Sequence, residues 1–559
     1  MMNNMQIMKK ILSLIKIFSF AALVTLMVSC QDLLTVDNNR VTMSDENLLN
    51  SSNDTVYSII GILTKVQKLS DRYVLMGEMR ADLMNITAYT KSDLRDLNNF
   101  EVDSTTSSFC DVKDYYAVIN NCNYFIQKAD TTVTEKGEKP FVKELAVVKS
   151  IRAWTYLQLA LNYGKATYFQ KPLTTIHDTN ESFPVYNLQQ LVDTLITDLT
   201  PFANVAQPLY GTINDVESKR LFVNTKFLLG DLYLWKASLN GGNESDYEMA
   251  ATYYANLIKA GQYIIQPTDV IKWNDINFTN YNDAWSNLLY NTIGGNELIT
   301  TIKLSSSSMN GVTTTLKDLS SNYELTTTKQ FEDVFEKQMY SYPNTAKNPV
   351  IPAYFVGDLR LNATVMSTVA GYNVNGRDLE TGSSIVRKYA RYNVNIYRTG
   401  LLYLRYAEAV NRLGRPALAY AVLKYGLNTV TLSDSKKVPA RDLVPVKTYI
   451  NIFNNAVFDK NVGIHNRGCG SSDMNKLYVI PLTVTTKTDS ILFVEDAISD
   501  ELAMETGLEG NRFHDLMRIS NHRNSPAYLA QKVASKHSDY NRIYNLLSDP
   551  KNWFLSSRK

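Results

Sequence analysis

The sequence predicts a mainly α-helical protein in which tetratricopeptide-type helix pairs carry an irregular, loop-rich half with minor β structure. Three observations predict it. Apolar residues recur at helical spacing on both sides of the chain's middle. Two segments carry the close-contact pattern of tetratricopeptide units. Between Pro267 and Tyr397 the helical period fades into sequence rich in Asn, Ser, Thr and Tyr that keeps its aromatic residues.

The first element is a leader. Lys9, Lys10 and Lys16 precede a mostly apolar run from Ile17 to Val28, which has the length of a secretory h-region and is shorter than the ~20 residues of a membrane-spanning helix. Met27-Val28-Ser29-Cys30 resembles the lipobox at which bacterial signal peptidase II cuts, so residues 1–29 read as a signal peptide and Cys30 as the lipid-attachment residue. Acyl chains contribute roughly 0.8 kcal/mol per buried methylene, enough for two or three chains to tether a protein of this size.

The helical elements follow in order. From Asp111 to Lys128, Tyr115, Val118, Ile119, Cys122, Phe125 and Ile126 form one face; from Glu144 to Tyr163 the face is Val147, Ile151, Trp154, Leu157 and Leu161, and Gly164 supplies a stop. An irregular connection holding Pro172 leads to an amphipathic stretch from Asn187 to Leu199. The first tetratricopeptide-like pair has Leu229-Gly230-Asp231-Leu232-Tyr233, a Gly241–Asp246 turn and a second helix with Ala250, Ala251 and Ala255. In the second, Ala407 and Ala419 stand twelve apart with Gly414 and Pro416 between them. Within the middle section Glu297–Lys303 leans towards a strand. From Gly400 onward helices return, interrupted by a polar stretch from Gly463 to Asp473, and end in a helix near Asp500–Ile519 and a basic tail.

Composition excludes several functions. Lys plus Arg number 57 and Asp plus Glu 55, so nothing marks the chain for nucleic acid. No second apolar run approaches spanning length. Cys110, Cys122 and Cys469 show no zinc spacing, and Cys122 falls on an apolar helix face, as a small buried hydrophobe rather than half of a disulfide with Cys110. Neither a metal nor a cofactor is expected. There is no HExxH, GxSxG or P-loop, and Gly468-Cys469-Gly470 lacks the context of a dinucleotide site. A glycoside hydrolase is the enzymatic alternative, because two carboxylates brought together in space leave no local trace.

The lipid-cysteine start, Tyr116/Ile119/Asn123, RAWTYLQLALNYG (Arg152–Gly164), LLYLRYAEAVNRLG (Leu401–Gly414) and LEGNRFHDLMR (Leu508–Arg518) together resemble the SusD/RagB family. The resemblance implies four tetratricopeptide-type helix pairs, an irregular loop-rich ligand-binding half, anchorage on the outer-membrane surface and a SusC-like TonB-dependent transporter as partner. It also implies capture of a glycan, or of a peptide in some members, without catalysis. Where the family commonly has Glu-Arg this chain has Glu501-Leu502, which removes one ion pair. On this reading residues 30–266 form an N-terminal helical portion, 267–397 the ligand-binding portion and 398–559 a C-terminal helical portion of the same domain.

A glycan binder needs ring faces for sugar C–H groups and short polar side chains for hydroxyls. The 35 tyrosines favour such a surface. Trp273, Asn274, Tyr281, Asp283, Trp285 and Tyr290 mix the two kinds, Tyr342 and Tyr354 are further loop candidates with Tyr323 and Tyr340, and Arg80 and Asp82 come from the region that approaches the ligand in the family. Glu509, Arg512, Asp515 and Arg518 are three apart and read as a charge ladder on one helix, and His514 has no neighbouring partner for catalysis.

Overall fold

A computed structural model describes residues 52–134, 137, 139–265, 297–344, 351–443, 456–469 and 478–558. Its helices of two turns or more are α1 (Ser52–Gln67), α2 (Ser70–Glu78), α3 (Ser92–Asn99), α4 (Lys113–Lys128), α5 (Pro140–Tyr163), α6 (Leu188–Leu199), α7 (Thr225–Leu239), α8 (Glu244–Lys259), α9 (Lys329–Glu336), α10 (Thr399–Arg412), α11 (Pro416–Lys424), α12 (Lys487–Thr506), α13 (Arg512–His522), α14 (Pro526–Ala534) and α15 (Tyr540–Leu547). Among the described residues no helix is long and apolar enough to cross a membrane.

The core is a run of neighbouring helices: α4 packs on α5, α5 on α6, α6 on α7, α7 on α8, α8 on α10, and α10 on both α11 and α12. The predicted faces of α4 and α5 are buried, apart from the half-buried Ile126, and α5 is covered further by Ala153, Tyr156, Leu159 and Ala160, as befits a helix in the centre of an array. Gly164 caps α5 in the left-handed conformation (φ 72°). α6 begins with a capping box in which Asn187 and Gln190 satisfy each other's backbone N–H groups.

Both tetratricopeptide-like pairs form. In the first, a Cβ on Gly230 would sit 2.5 Å from the Tyr254 ring, so only glycine lets α7 and α8 approach this closely. In the second, Ala407 and Ala419 are fully buried, Gly414 turns with φ 71° and Pro416 opens α11. Because α8 packs directly on α10, the intervening section is an excursion from a continuous array.

Within that excursion the strand Leu298–Lys303 forms as expected and pairs antiparallel with Asn393–Arg398. Met84–Ile86 pairs with Leu325–Thr327, and Met339–Asn344 with Ile351–Val356. Tyr340, Tyr342 and Tyr354, expected on loops, thus lie on hairpin strands. The helix expected near Asp500–Ile519 is two helices, α12 and α13, because Leu508 (φ 68°) and Gly510 (φ 104°) reverse the chain between them. The expected basic tail instead folds as α14 and α15, whose Leu529, Ala530, Val533, Ile543 and Leu547 are buried. Cys110, Cys122 and Cys469 are buried, and none of them is in a disulfide among the described residues.

The charge ladder is also revised. Glu509 precedes α13 and pairs with Lys388 (2.7 Å) and Arg398 (2.7 Å), while Arg512 binds Asp82. Only Asp515 and Arg518 keep the i,i+3 contact, at 3.0 Å, and Arg518 also pairs with Glu408 at 2.7 Å. Arg405, three residues before Glu408, makes its shorter contact with Asp515, at 2.6 Å. His514 is buried and meets Asn162 at 3.2 Å; burial, then Arg80, Arg518 and Arg405, push its pKa well below the usual imidazole value.

The largest buried ionic group joins five segments. Glu505 on α12 meets Arg360 (3.0 Å), Arg398 (2.8 Å) and Arg467 (2.5 Å). Glu297 bridges Arg398 and Arg467, and Glu501 bridges Arg360 and His465. Gly468 is required beside it, since a Cβ there would lie 2.0 Å from the Asp358 carboxylate.

The reversal between α12 and α13 is held by Glu78, whose carboxylate accepts N–H groups of Leu508 (3.1 Å), Gly510 (2.7 Å) and Arg512 (3.4 Å). Burial raises the Glu78 pKa to about 7 although these three donors oppose it. A folded pKa above the ordinary 4.5 contributes stability that is complete below the ordinary value and lost as pH rises through about 7. The stability difference between the native chain and Glu78→Gln is therefore expected to change by about 1–3 kcal/mol between pH 4.5 and 8, in favour of the variant, in urea unfolding curves.

Candidate ligand-binding surface

Three distant segments assemble an exposed aromatic and amide surface. The pairing of Met84–Ile86 with Leu325–Thr327 brings the chain after each strand to the same place. Thr87 then donates its hydroxyl to the Tyr323 carbonyl (2.6 Å), and Thr90 donates to the Glu324 carbonyl (2.5 Å). The third segment is a hairpin of Asn373–Val374 and Arg377–Asp378. Its Asn375-Gly376 turn has both φ angles positive, 50° and 79°, which glycine and asparagine adopt at low cost. Asn375 donates to the Asn322 side chain at 2.5 Å, and Arg377 donates to the Asn322 carbonyl at 2.8 Å.

On this frame the Arg377 guanidinium stacks 4.3 Å from the centroid of Tyr89, which is 37% exposed. Asn322 and Tyr323 are half-buried beside it, and Asn373, Asn375 and Asp378 are exposed. The arrangement offers a ring with a guanidinium over one face and amide groups nearby, chemistry suited to a hydrated ligand with hydroxyl groups. At the start of the strand that leads to Thr87, the Lys536 ammonium donates to the carbonyls of Met79 (2.6 Å) and Met84 (2.9 Å) and to the Asn98 side chain (2.8 Å). Burial pushes the Lys536 pKa down to about 7.

The sequence-derived candidates fall in different places. Arg80 and Asp82 are buried, at 1% and 4% exposure. Arg80 donates to Met76, Asn162 and Trp553 and lies 4.4 Å over the Phe513 ring; the Asp82 carboxylate takes both arms of Arg512, at 2.7 and 2.8 Å. Both are committed to the frame behind the surface. Tyr354 is 53% exposed on its hairpin, where Tyr342 stands opposite Ala353. Cys30, Trp273, Asn274, Tyr281, Asp283, Trp285 and Tyr290 lie outside the described residues. That segment's flanks are anchored, Ile265 by Asn461 (2.9 Å) and Glu297 by Arg398 and Arg467. Tyr89 and Arg377 carried no motif of their own, but Asn375-Gly376 between Val374 and Arg377 is a legible hairpin signal.

A separate cleft of ≈ 640 Å³ opens between α1, the strand Leu298–Lys303 and the turn at Asn214-Asp215. Its walls are largely aliphatic, with Ile60, Leu63, Ile302 and Ile396, and its single ring, Tyr392, receives a hydrogen bond from Lys317 at 3.0 Å.

An array of helical pairs interrupted by a section of short strands and hairpins defines a class of scaffold, and sequence comparison identifies which one. The SusD family model matches residues 242–555, and the chain belongs to the SusD family. Solved structures share the fold. A SusD superfamily protein from Bacteroides vulgatus has 16% identity and TM-score 0.59, with 89% of this chain and 93% of that one covered. Surface glycan-binding protein A from Bacteroides fluxus has 17% identity and TM-score 0.55, covering 87% and 92%, and B. fragilis NanU has 15% and 0.52, covering 90% and 94%. A search of curated proteins finds no match.

Proposed function

We propose that this SusD-family protein captures a glycan at the cell surface and passes it to a TonB-dependent outer-membrane transporter, making and breaking no bonds itself. Lipid on Cys30 holds it to the outer membrane. The observation that carries the reading is the Tyr89 ring and its Arg377, Asn322 and Asn375 neighbours, assembled on a SusD-family frame. A neighbour in fold is named a surface glycan-binding protein. The Trp273–Tyr290 stretch is proposed to contact the same ligand, since its rings and amides have the same chemistry, and exposed Tyr354 is a further contact. Arg80 and Asp82 are proposed to act only through the frame.

Calorimetry against a fractionated glycan library, with a peptide library in parallel, tests this. Tyr89→Ala is expected to weaken the bound glycan at least about tenfold, the loss of a stacking contact worth ~1.5 kcal/mol. Binding of peptides alone, or release of reducing ends from the glycan by the purified protein, would overturn the reading.

A further inference from the structure

We propose that the ligand of the Tyr89 surface is an acidic glycan, with its carboxylate or sulfate received by Arg377; this rests on the glycan-capture reading and adds a charge class to it. Two guanidiniums beside the ring are in no ion pair among the described residues. Arg377 spends one nitrogen on the Asn322 carbonyl and its flat face on Tyr89. Arg95, exposed one turn into α3, spends one nitrogen on the Thr90 carbonyl at 3.0 Å, next to Tyr89 in the chain. Among the described residues neither guanidinium has a carboxylate in ion-pairing range. Lys91 is 73% exposed in its side chain and reaches Glu324 only at 3.6 Å.

Neither Glu324 nor Asp378 is ion-paired with Arg377 or Arg95. Glu324 is the partner of Lys91 and its side chain is only 9% exposed. Asp378 follows Arg377 in a strand, so it points to the opposite face, where it accepts the Asn373 amide at 2.8 Å. A guanidinium stacked on a ring has its plane held, and its remaining N–H groups lie in that plane. Such a group matches the two oxygens of a carboxylate or sulfate, while the sugar ring beside that anion has Tyr89 and the amides to meet. A neutral glycan would leave that cation unused.

The test is a panel in which each acidic oligosaccharide, galacturonate, glucuronate, sialic acid-terminated or sulfated, is paired with its carboxyl-reduced or desulfated counterpart. At least one acidic member is expected to bind about tenfold or more tighter than its counterpart, with affinity falling as salt is raised. The carboxylate and sulfate arms separate the two sources of charge. Arg377→Ala is expected to abolish the preference, read as the ratio of affinities within each acidic and neutral pair, and Arg377→Lys to keep part of it. An unchanged thermal midpoint in Arg377→Lys shows that the hairpin is intact. Equal binding of every pair, or a preference that survives Arg377→Ala, overturns the acidic-ligand proposal and leaves glycan capture standing. No binding by any member overturns both.

Discussion

Glu505→Ala is expected to destabilise the protein by about 3–5 kcal/mol, because it strands three buried guanidiniums around one vacated site. Arg360, Arg398 and Arg467 are each fully enclosed, and each has at least one other carboxylate, so the fold would persist with a lower urea midpoint. The same group sets an acid limit. Burial raises the Glu505 pKa, but Arg467, Arg398 and Arg360 together outweigh it and hold the carboxyl well below the usual range. A depressed folded pKa contributes stability above the unfolded value, about 4.3, that is lost as pH falls below it. The midpoint of Glu505→Gln is therefore expected to fall less steeply below pH 4 than that of the native chain. Equal slopes would remove Glu505 from the acid transition.

Gly77→Ala carries the second large effect. The new Cβ would lie 1.8 Å from the Gly510 carbonyl oxygen and 2.5 Å from its carbon, where backbone meets backbone and no side chain can swing aside. Gly510 cannot yield easily, since its own φ of 104° and the Tyr73 ring at 2.8 Å from a would-be Cβ fix it. The reversal that Glu78 holds would have to separate from α2, at an expected cost of about 3 kcal/mol or more. Gly61→Ala is the matched control. Gly61 is exposed in α1 with nothing within 4 Å, so alanine there is expected to stabilise by up to ~1 kcal/mol through helix propensity. Thermal unfolding of the two variants side by side separates packing from propensity, and equal effects would refute the close-approach argument.

The helical array is legible in the sequence because its signals are short-range. The 3.6-residue spacing in α4 and α5, the stop at Gly164, and the small residues Gly230, Ala407 and Ala419 each act within a helix or between neighbours in sequence. The break between α12 and α13 was hidden, since Leu508 and Gly510 reverse the chain under the pull of Glu78, more than 400 residues away.

Charge pairing and the candidate surface around Tyr89 follow the same division. Three-residue spacing made Glu509 and Arg512 look like rungs of one ladder, yet buried ions take whichever partners the packed core presents, here Arg398 and Asp82. Tyr89, Asn322 and Arg377 are separated by more than 50 residues each and become neighbours only through a strand pair and a hairpin. Local periodicity is written in the chain order, so reading it yields the helical scaffold; contacts closed across hundreds of residues exist only once the chain has folded, and those set the buried ions and the ring that faces solvent.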